Sequence, residues 1–370
     1  MLESSILLNA IQKQLDDFCA SRRRDFGLIS EDLYPLVDFA QDLLQGGKRF
    51  RAQFCYWSWA GNLASNLQLT QEQRDQSLEA VVGICAALEM FHAAALVHDD
   101  LLDQSDTRRG KPAVHKNFES LHETEAWAGS KERFGQAGSV LVGDLMLSWS
   151  SEIFGNALLH APTPEIEQAC REEFSRMRVE IMAGQYLDVL EENAAPSRNP
   201  SEAVARANRV MLYKTAKYSI EAPLLIGAAF AGANQSERKA LGAFAIPLGL
   251  AFQLRDDVLG VFGDPQVTGK PAGDDLREGK RTVLVGLTRE TLDGAVGRVF
   301  DEMLTSRELS DDQIRFLQQT IVGCGALKKT EDLIEQLGTE SMQLLEKIEL
   351  EAEAKDALRQ LALLVINRSH

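Results

Sequence analysis

The sequence is poor in cysteine and proline, and each shortage excludes a class of protein. Its 370 residues include five scattered cysteines, none of them in a CxxC pair. This pattern favours buried, reduced thiols over a zinc module or a disulfide scaffold. The 10 prolines mark breaks between segments, as in ENAAPSRNPSE at 192–202, and no linker divides the chain.

Positive charge is also scarce. The chain has 39 basic against 55 acidic residues and a formal net charge of −16. A broad nucleic-acid surface needs a basic patch, so we expect no nucleic-acid partner. An anionic ligand is not excluded, because a local basic cluster or bound cations can reverse the field in a cleft.

Signals for secretion and membrane insertion are missing too. The N-terminal segment MLESSILLNAIQKQLDDFCA lacks a basic stretch followed by a long apolar one. By our count, no apolar run approaches the ~20 residues that span a bilayer. We therefore expect a cytoplasmic protein with no stable membrane insertion.

Most of the chain has the apolar spacing of helices. Residues 78–98 are apolar on nearly all sides, which is typical of a buried helix. Helical periodicity continues in four more segments: 166–190, 202–232, 237–261 and 331–366. The polar, glycine-containing stretch at 119–138 is predicted to be a surface loop. The pattern favours one all-α domain over residues 1–370.

One apolar run ends abruptly in acids, in the stretch LVHDDLLDQSDTRRG at 96–110. Residues four apart share a face of a helix, so Asp99 and Asp103 should point the same way. Like charges this close repel each other unless a cation lies between them. Oxygen ligands without a Cys or His cluster suit Mg²⁺, which usually bridges carboxylates to phosphates. The alternative is a solvated acidic helix end.

A second apolar segment ends in a similar pair, in AIPLGLAFQLRDDVLG at 245–260. Its acids are Asp256 and Asp257, and the position one turn beyond Asp256 is Gly260 rather than an acid. Gln253 is either a partner of metal-bound water or phosphate, or a satisfied core amide. Two elements with the same chemistry suggest that they face each other across one cavity.

Basic groups collect around these acids. Arginine forks and lysine charges both suit phosphate. His92 lies on nearly the same side of its helix as Asp99, and is either a donor near the phosphates or a core residue. The remaining candidates are Lys48, Arg51, Arg108, Arg109, Lys214, Thr215, Lys270 and Lys280. With the two acidic pairs, they describe a site for diphosphates bridged by Mg²⁺.

The order of these motifs resembles that of the trans-isoprenyl diphosphate (polyprenyl) synthase family. They run from about residue 40 to residue 285: GGKRFR, FHAAALVHDD, DDLLD with TRRG, LVGDLML, MAGQYLD, YKTA, GLAFQLRDD and GDPQVTGKPAGDDLREGKRT. The sequences of SDTRRGKPAVH and of the last of these segments are similar to those of actinobacterial geranylgeranyl diphosphate synthases. Gly260 departs from the pattern, because the family usually has a third Asp there.

The resemblance implies an all-α isoprenoid-synthase helical bundle around a deep central cavity, usually in a homodimer. It implies head-to-tail condensation of isopentenyl diphosphate with an allylic diphosphate (dimethylallyl, geranyl or farnesyl). It implies about three Mg²⁺ ions per site, bound by Asp99, Asp103 and Asp256. These acids form the expected catalytic set together with Lys214 and Lys270.

The resemblance also divides the other residues between the substrates. The allylic diphosphate is assigned to Arg108, Lys214, Gln253 and Lys270. Isopentenyl diphosphate is assigned to Lys48, Arg51, His92 and Arg109. Thr215 and Lys280 are expected near the allylic group.

Product length is expected to depend on the helix that ends in DDLLD, beside which the product should descend. Ala94 and Ala95, one turn below Asp99, are small, which in the family argues against a ten- or fifteen-carbon limit. Phe91, the next bulky group, is either the floor of the cavity or ordinary core packing. We therefore expect geranylgeranyl diphosphate, with a farnesyl or a longer polyprenyl product as the alternative.

Three other functions share parts of this pattern. A terpene cyclase normally has an Asn/Ser/Glu-type second metal motif and does not need GGKRFR. A metal-dependent phosphohydrolase needs further histidine ligands, and the six histidines show no HxxxH-like set. A non-catalytic partner subunit usually loses the Asp motifs, which this chain keeps.

Overall fold

A computed structural model describes residues 2–263, 273–306 and 309–367 of the chain. The α-helices are α1 (Ser4–Gly27), α2 (Tyr34–Leu43), α3 (Phe50–Asn66), α4 (Gln71–Leu102), α5 (Val114–Thr124), α6 (Lys131–Leu158), α7 (Pro164–Ala194), α8 (Ala203–Val210), α9 (Ala222–Phe230), α10 (Gln235–Phe262), α11 (Asp274–Arg277), α12 (Val283–Thr291), α13 (Gly294–Thr305), α14 (Asp311–Gly323), α15 (Ala326–Glu346) and α16 (Ala352–Ile366).

Short elements join these helices. A π-helix at Met211–Glu221 runs from α8 into α9, and 3₁₀ turns lie at Glu31–Leu33, Ala195–Ser197 and Pro200–Glu202. Among the described residues the only sheet is an antiparallel pair of two-residue strands, β1 (Thr107–Arg108) and β2 (Lys111–Pro112). The prediction of an all-α fold is confirmed.

The two helices that end in acidic motifs have well-defined starts. Thr70 and Gln73 form a capping box at the start of α4, and Asn234 and Glu237 form one at the start of α10. Each box supplies partners for backbone N–H groups that the first turn leaves unpaired. Because both starts are fixed, the acids at the far ends are held at defined positions.

Helix α4 lies in the core and packs against α1, α3 and α6. It is the one described helix that is long and apolar enough to cross a membrane by length and composition, with a window of mean hydropathy 2.0. The expectation that no apolar run approaches a span is therefore wrong on length. In this fold 83% of that window is buried, so its apolar surface is covered by neighbouring helices.

The C-terminal helices pack onto α10, with α15 making the main contact. A second group of buried residues, which includes Val261, Leu276 and Phe300, links the end of α10 to α11 and α13. Residues after 290, which carry no recognisable motif, thus support the helix that presents Asp256. The single domain over 1–370 stays a prediction.

Two predicted boundaries differ from the structure. The stretch 119–138 is mostly helix, because α5 continues to Thr124 and α6 begins at Lys131, where the Ser130 hydroxyl accepts from the Arg133 N–H at 3.1 Å. The rings of Phe118 on α5 and Phe134 on α6 pack edge to face, with centroids 5.8 Å apart, and hold the two helices together. The predicted helix at 331–366 is broken after Glu346.

Candidate active site

The first acidic motif lies where α4 ends. Asp99 is in the last turn, and the backbone N–H of Asp103 is 2.8 Å from the carbonyl oxygen of Asp99. This helical bond keeps the two side chains on one face, as their spacing predicts. Asp100, between them, is buried and accepts a 2.8 Å hydrogen bond from Arg108 Nε.

Three cationic side chains from separate segments surround Asp99 and Asp103. Lys214 Nζ, from the π-helix, lies 3.1 Å from Asp99 Oδ1. Lys280 Nζ, beyond α11, lies 3.3 Å from Asp103 Oδ2. Arg108 Nη2, from β1, lies 3.5 Å from Asp99 Oδ2. The structure therefore brings these three predicted residues to the first acidic motif.

The pKa values of the two carboxyl groups move in opposite directions. Burial opposes the charge of Asp99, but Lys214, Lys280 and Arg108 outweigh it and lower the pKa of Asp99 to about 2. Burial, followed by the charge of Asp99, raises the pKa of Asp103 to about 6. The pair therefore carries two full charges most readily when further positive charge is added beside it.

Mg²⁺ fits this donor set. Asp99 and Asp103 offer oxygen ligands whose mutual repulsion a divalent cation relieves. In the part of the chain that the structure describes, no three acidic, histidine or cysteine side chains already surround one point. Mg²⁺ usually takes one or two carboxylates and completes its octahedron with water and phosphate oxygens, so it needs no such cage. The ligand roles of Asp99, Asp103 and Asp256 stay predictions.

The second acidic motif lies near the end of α10. Asp256 is exposed, whereas Asp257 is buried, and that burial raises its pKa well above the usual value. Gln253 accepts a hydrogen bond from the Thr215 hydroxyl at 2.6 Å and donates one to Asp257 Oδ1 at 2.8 Å. The bond from Thr215 joins the π-helix to α10, and the bond to Asp257 lies within α10. Substrate contacts of Gln253 and Thr215 stay predictions.

The GGKRFR loop lies against the TRRG turn. A Cβ at Gly47 would be 3.3 Å from Arg109 Nη2, so the glycine permits this close approach. Arg109 Nη1 is 3.4 Å from the carbonyl oxygen of Gln45. Lys48, next to Gly47, is exposed. Two of the residues predicted to bind isopentenyl diphosphate thus lie on neighbouring loops.

The other two, Arg51 and His92, meet at the π-helix. Arg51 Nη2 donates to Ser219 Oγ at 2.7 Å, and its guanidinium lies 4.5 Å from the ring centre of Tyr218. His92 Nδ1 is 3.1 Å from the Tyr218 hydroxyl. Burial, and then the charges of Arg51 and Arg109, lower the pKa of His92 well below its usual value. The ring is therefore neutral near pH 7.

The sequence analysis did not single out three polar residues that support the predicted ones. On α7, Gln185 donates to Asp99 Oδ1 at 3.2 Å, and Asp188 Oδ2 is 2.5 Å from Lys214 Nζ. Both belong to MAGQYLD. Their spacing of three residues on a helix places them on one face, and this spacing could have indicated that they act at the same site.

Glu89 is the third residue that was missed. It is buried in α4 and accepts a hydrogen bond from the backbone N–H of Ala52 at 3.3 Å. Burial raises its pKa, while the charges of Arg51 and Arg49 oppose the rise. A carboxyl group inside an apolar helix was the signal, since acids are rarely buried without a partner.

The residues predicted to control product length lie deeper along α4. Ala94 is fully buried, whereas Ala95 keeps part of its surface exposed. Phe91 is buried edge-on against Phe174 and Tyr218, with ring centroids 6.2 and 5.8 Å away. Phe91 thus belongs to an aromatic cluster. Lys270 lies outside the described residues, so its predicted role stays a prediction.

The sequence model of the polyprenyl synthetase family matches residues 35–321. The chain belongs to this family. A short chain isoprenyl diphosphate synthase of Methanocaldococcus jannaschii is 31% identical over 277 residues, which cover 74% of this chain and 72% of the relative. A geranylgeranyl diphosphate synthase of Sulfolobus acidocaldarius is 31% identical over 287 residues, or 77% and 76% of the two chains.

A solved structure is similar over the whole fold. Geranylgeranyl pyrophosphate synthase from Corynebacterium glutamicum, complexed with isoprenyl diphosphate and magnesium, has a TM-score of 0.91 and 33% identity. The match covers 99% of this chain and 100% of that one. The resemblance drawn from the motifs and the isoprenoid-synthase fold that it implies are confirmed.

Proposed function

We propose that this protein is a magnesium-dependent prenyltransferase that condenses isopentenyl diphosphate head to tail with allylic diphosphates and releases mainly geranylgeranyl diphosphate. Membership of the polyprenyl synthetase family, with the activities named for its relatives, supports the reaction class. The observation that carries the proposal is the meeting of Asp99 and Asp103 with Lys214, Lys280 and Arg108 at the end of a buried apolar helix.

The acids would hold the metal. Asp99 and Asp103 from α4, with Asp256 from α10, are the ligands that we assign to Mg²⁺, with about three ions per site. When bound, Mg²⁺ stabilises the charge that develops on a departing diphosphate. Lys214 and Lys280, which lie beside the same carboxylates, add fixed positive charge to this end of the cavity.

The remaining basic residues bind and orient the two diphosphates. Arg108 and Lys270 complete the allylic diphosphate site. Arginine suits a diphosphate because its guanidinium can donate two parallel hydrogen bonds to phosphate oxygens. Lys48 and Arg109, on the neighbouring loops, hold isopentenyl diphosphate together with Arg51, which lies at the start of α3. His92 is neutral, so when its Nδ1 accepts from the Tyr218 hydroxyl, Nε2–H is left to donate.

The carbon chain is held away from water by the apolar surface of α4. Ala95 keeps part of its surface exposed, which leaves room beside the helix. Phe91, with Phe174 behind it, is the first large group on the way down. We assign Ala95 to the open part of the product site and Phe91 to its floor, whereas Ala94 is fully buried in the core and does not face open space.

Replacing Phe91 with alanine tests this assignment. We expect Phe91→Ala to shift the main product from twenty to at least twenty-five carbons, because removing the ring opens a cavity. Chromatographic sizing of products made from labelled isopentenyl diphosphate and farnesyl diphosphate measures the shift. Phe154→Ala, which removes the ring stacked on Phe174, is the control for a general loosening of the aromatic cluster. An unchanged product length in Phe91→Ala contradicts the floor assignment.

The proposal includes two properties of the whole protein. A homodimer is supported by exposed apolar side chains on α6 and α7, which include Leu141, Val179 and Tyr186. A cytoplasmic location is supported by the five free cysteines, four of which are buried. Neither nucleic-acid binding nor stable membrane insertion is part of the proposal.

An elongation assay tests the function directly. Purified protein is incubated with Mg²⁺, labelled isopentenyl diphosphate and each of dimethylallyl, geranyl and farnesyl diphosphate. We expect elongation that depends on Mg²⁺ and stops mainly at twenty carbons. Asp99→Asn should reduce turnover by at least about 100-fold while the helical circular dichroism is unchanged. Absence of elongation with every primer overturns the proposal, and a mainly fifteen-carbon product overturns the chain-length part alone.

A further inference from the structure

Tyr218, on the π-helix, is buried and contacts three residues to which the sequence assigns a role. The guanidinium of Arg51 lies 4.5 Å from the centre of its ring. The hydroxyl group lies 3.1 Å from Nδ1 of His92. The ring packs edge to face on Phe91, with centroids 5.8 Å apart. One side chain therefore joins two predicted ligands of isopentenyl diphosphate to the residue assigned to the floor.

The groups around the Tyr218 hydroxyl determine the direction of its hydrogen bond. Burial raises the pKa of Tyr218, so the hydroxyl keeps its proton near pH 7. Arg51 has only donors and cannot accept that proton. Within the described part of the chain, the acceptor that this hydroxyl contacts is His92 Nδ1. The hydroxyl therefore donates to Nδ1.

This bond determines which nitrogen of His92 carries the hydrogen. The pKa of His92 is lowered, first by burial and then by Arg51, so the ring is neutral near pH 7. A neutral imidazole has one N–H donor and one acceptor nitrogen. Because Nδ1 accepts from Tyr218, the hydrogen lies on Nε2. The ring keeps part of its surface exposed, so this N–H can donate to an oxygen of a ligand.

The same tyrosine holds Arg51 in place. Arg51 extends from the start of α3 to the π-helix, where its Nη2 donates to Ser219 Oγ at 2.7 Å. Its guanidinium lies over the ring of the preceding residue, Tyr218, in a cation–π contact. Two consecutive residues thus fix the guanidinium before any ligand binds. A donor group held in this way loses little freedom when it binds a diphosphate.

We propose that Tyr218 is a positioning residue for isopentenyl diphosphate. Its hydroxyl holds His92 in the tautomer that donates from Nε2, and its ring holds the guanidinium of Arg51. Tyr218 acts through these two residues and not by touching the diphosphate. This inference rests on the proposed function and adds a positioning residue to the same reaction.

The tautomer of His92 can be measured without substrate. Protein labelled with ¹⁵N-histidine should show, for His92, an Nδ1 without hydrogen and an Nε2 that carries one. The His92→Asn variant identifies the signal among the six histidines. In Tyr218→Phe the Nδ1 resonance should move, because this nitrogen loses its donor. A hydrogen on Nδ1 in the native protein overturns the inference.

Steady-state kinetics test the effect on substrate. Tyr218→Phe keeps the ring and removes the hydroxyl, so the KM for isopentenyl diphosphate should rise about 5- to 10-fold, the effect of one hydrogen bond. The kcat and the KM for farnesyl diphosphate should stay within about twofold, because only binding of isopentenyl diphosphate is weakened. Tyr218→Leu also removes the cation–π contact and should raise the first KM about fivefold further.

Two further variants separate positioning from stability. In the His92→Asn background, Tyr218→Phe should change the KM for isopentenyl diphosphate by less than about twofold, since no imidazole remains to be oriented. Tyr56→Phe is the matched control, because Tyr56 is equally buried and its hydroxyl accepts from the Leu2 N–H at 2.6 Å. It should lower the melting temperature and leave both KM values unchanged.

The outcomes distinguish this inference from the function on which it rests. If no primer is elongated, the proposed function is wrong. If elongation occurs and Tyr218→Phe leaves the KM for isopentenyl diphosphate unchanged, only the role of Tyr218 is wrong. An equal rise in both KM values, or the same rise in Tyr56→Phe, also overturns the inference, since either result reflects a general loosening of the fold.

Discussion

At the residue scale, His92 makes the stability of the protein depend on pH. Its pKa is lowered well below the usual value, first by burial and then by Arg51, Arg109 and Arg108. In the unfolded chain a histidine takes up its proton near pH 6.5. The folded protein binds this proton only at much lower pH, so the contribution of His92 to the free energy of unfolding falls as the pH drops below 6.5.

We expect His92 to reduce the free energy of unfolding by about 2 kcal/mol between pH 6.5 and pH 5, at about 1.4 kcal/mol per unit. His92→Asn should lack this loss and show a flatter profile over that interval. Urea unfolding at half-unit steps from pH 7 to pH 5 measures both curves. The exposed His160→Asn variant is the control and should follow the native profile. Parallel curves for His92→Asn and the native protein contradict the prediction.

The sequence predicted single residues best where one helix determines the geometry. The spacing of Asp99 and Asp103 places both on one face because they belong to one helical turn. Gln185 and Asp188 were not singled out, because they reach Asp99 and Lys214 from another helix. Their partners depend on how α7 packs, which no spacing along the chain records.

At the element scale, the π-helix determines which side chains reach the site. Lys214 contacts Asp99, and Thr215 contacts Gln253. Tyr218 and Ser219 contact Arg51, and Tyr218 also contacts His92. A π-helix is wider than an α-helix and is frequent at functional sites. Apolar periodicity predicted only a helix across 202–232, because the local widening arises from packing against α7 and α10.

Gly184 permits this packing. A Cβ at Gly184 would be 2.4 Å from the backbone nitrogen of Lys214 and 2.6 Å from the carbonyl carbon of Tyr213. Helix α7 therefore touches the backbone of the π-helix at the residue that contacts Asp99. Backbone atoms cannot rotate away as a side chain can, so an added methyl group must move the helix.

We expect Gly184→Ala to destabilise the protein by about 1–3 kcal/mol, the usual cost of overpacking. Because Lys214 is displaced, turnover should fall more than the folded fraction does. Thermal unfolding and the elongation assay measure the two effects. Gly155→Ala, on α6 with nothing within 4 Å of the new Cβ, is the control and should be neutral or slightly stabilising. Equal behaviour of the two variants contradicts the prediction.

At the scale of the whole molecule, overall charge and local charge have opposite signs. The net charge of −16 argues against a polyanion partner, yet Lys214, Lys280 and Arg108 gather at one site. Composition alone excludes classes of partner but does not locate a site. The fold could be predicted from the sequence because the motifs occur in the order of a known family. The ends of helices, such as the end of α5 and the start of α6, could not be predicted because they depend on tertiary packing.

The outer surface of α6 and α7 predicts an assembly. Val179 and Tyr186 on α7 are 68% and 66% exposed, and Leu141 on α6 is 55% exposed. The two helices are neighbours, since Arg178 Nη1 donates to Ser151 Oγ at 3.0 Å. We expect a second copy of the chain to cover these side chains symmetrically, because large apolar side chains exposed on neighbouring helices are typical of an interaction surface.

We expect the native protein to sediment as a dimer, at about twice the 40.9 kDa of one chain. Val179→Glu/Tyr186→Glu should sediment as a monomer, because two negative charges placed on each subunit's patch repel each other across a symmetric interface. Leu364→Glu, on α16, changes an equally accessible side chain on another surface and should remain a dimer. Sedimentation equilibrium distinguishes these states. If the double variant is still a dimer, the interface lies on another surface. If the native protein is a monomer, the prediction of a dimer is wrong.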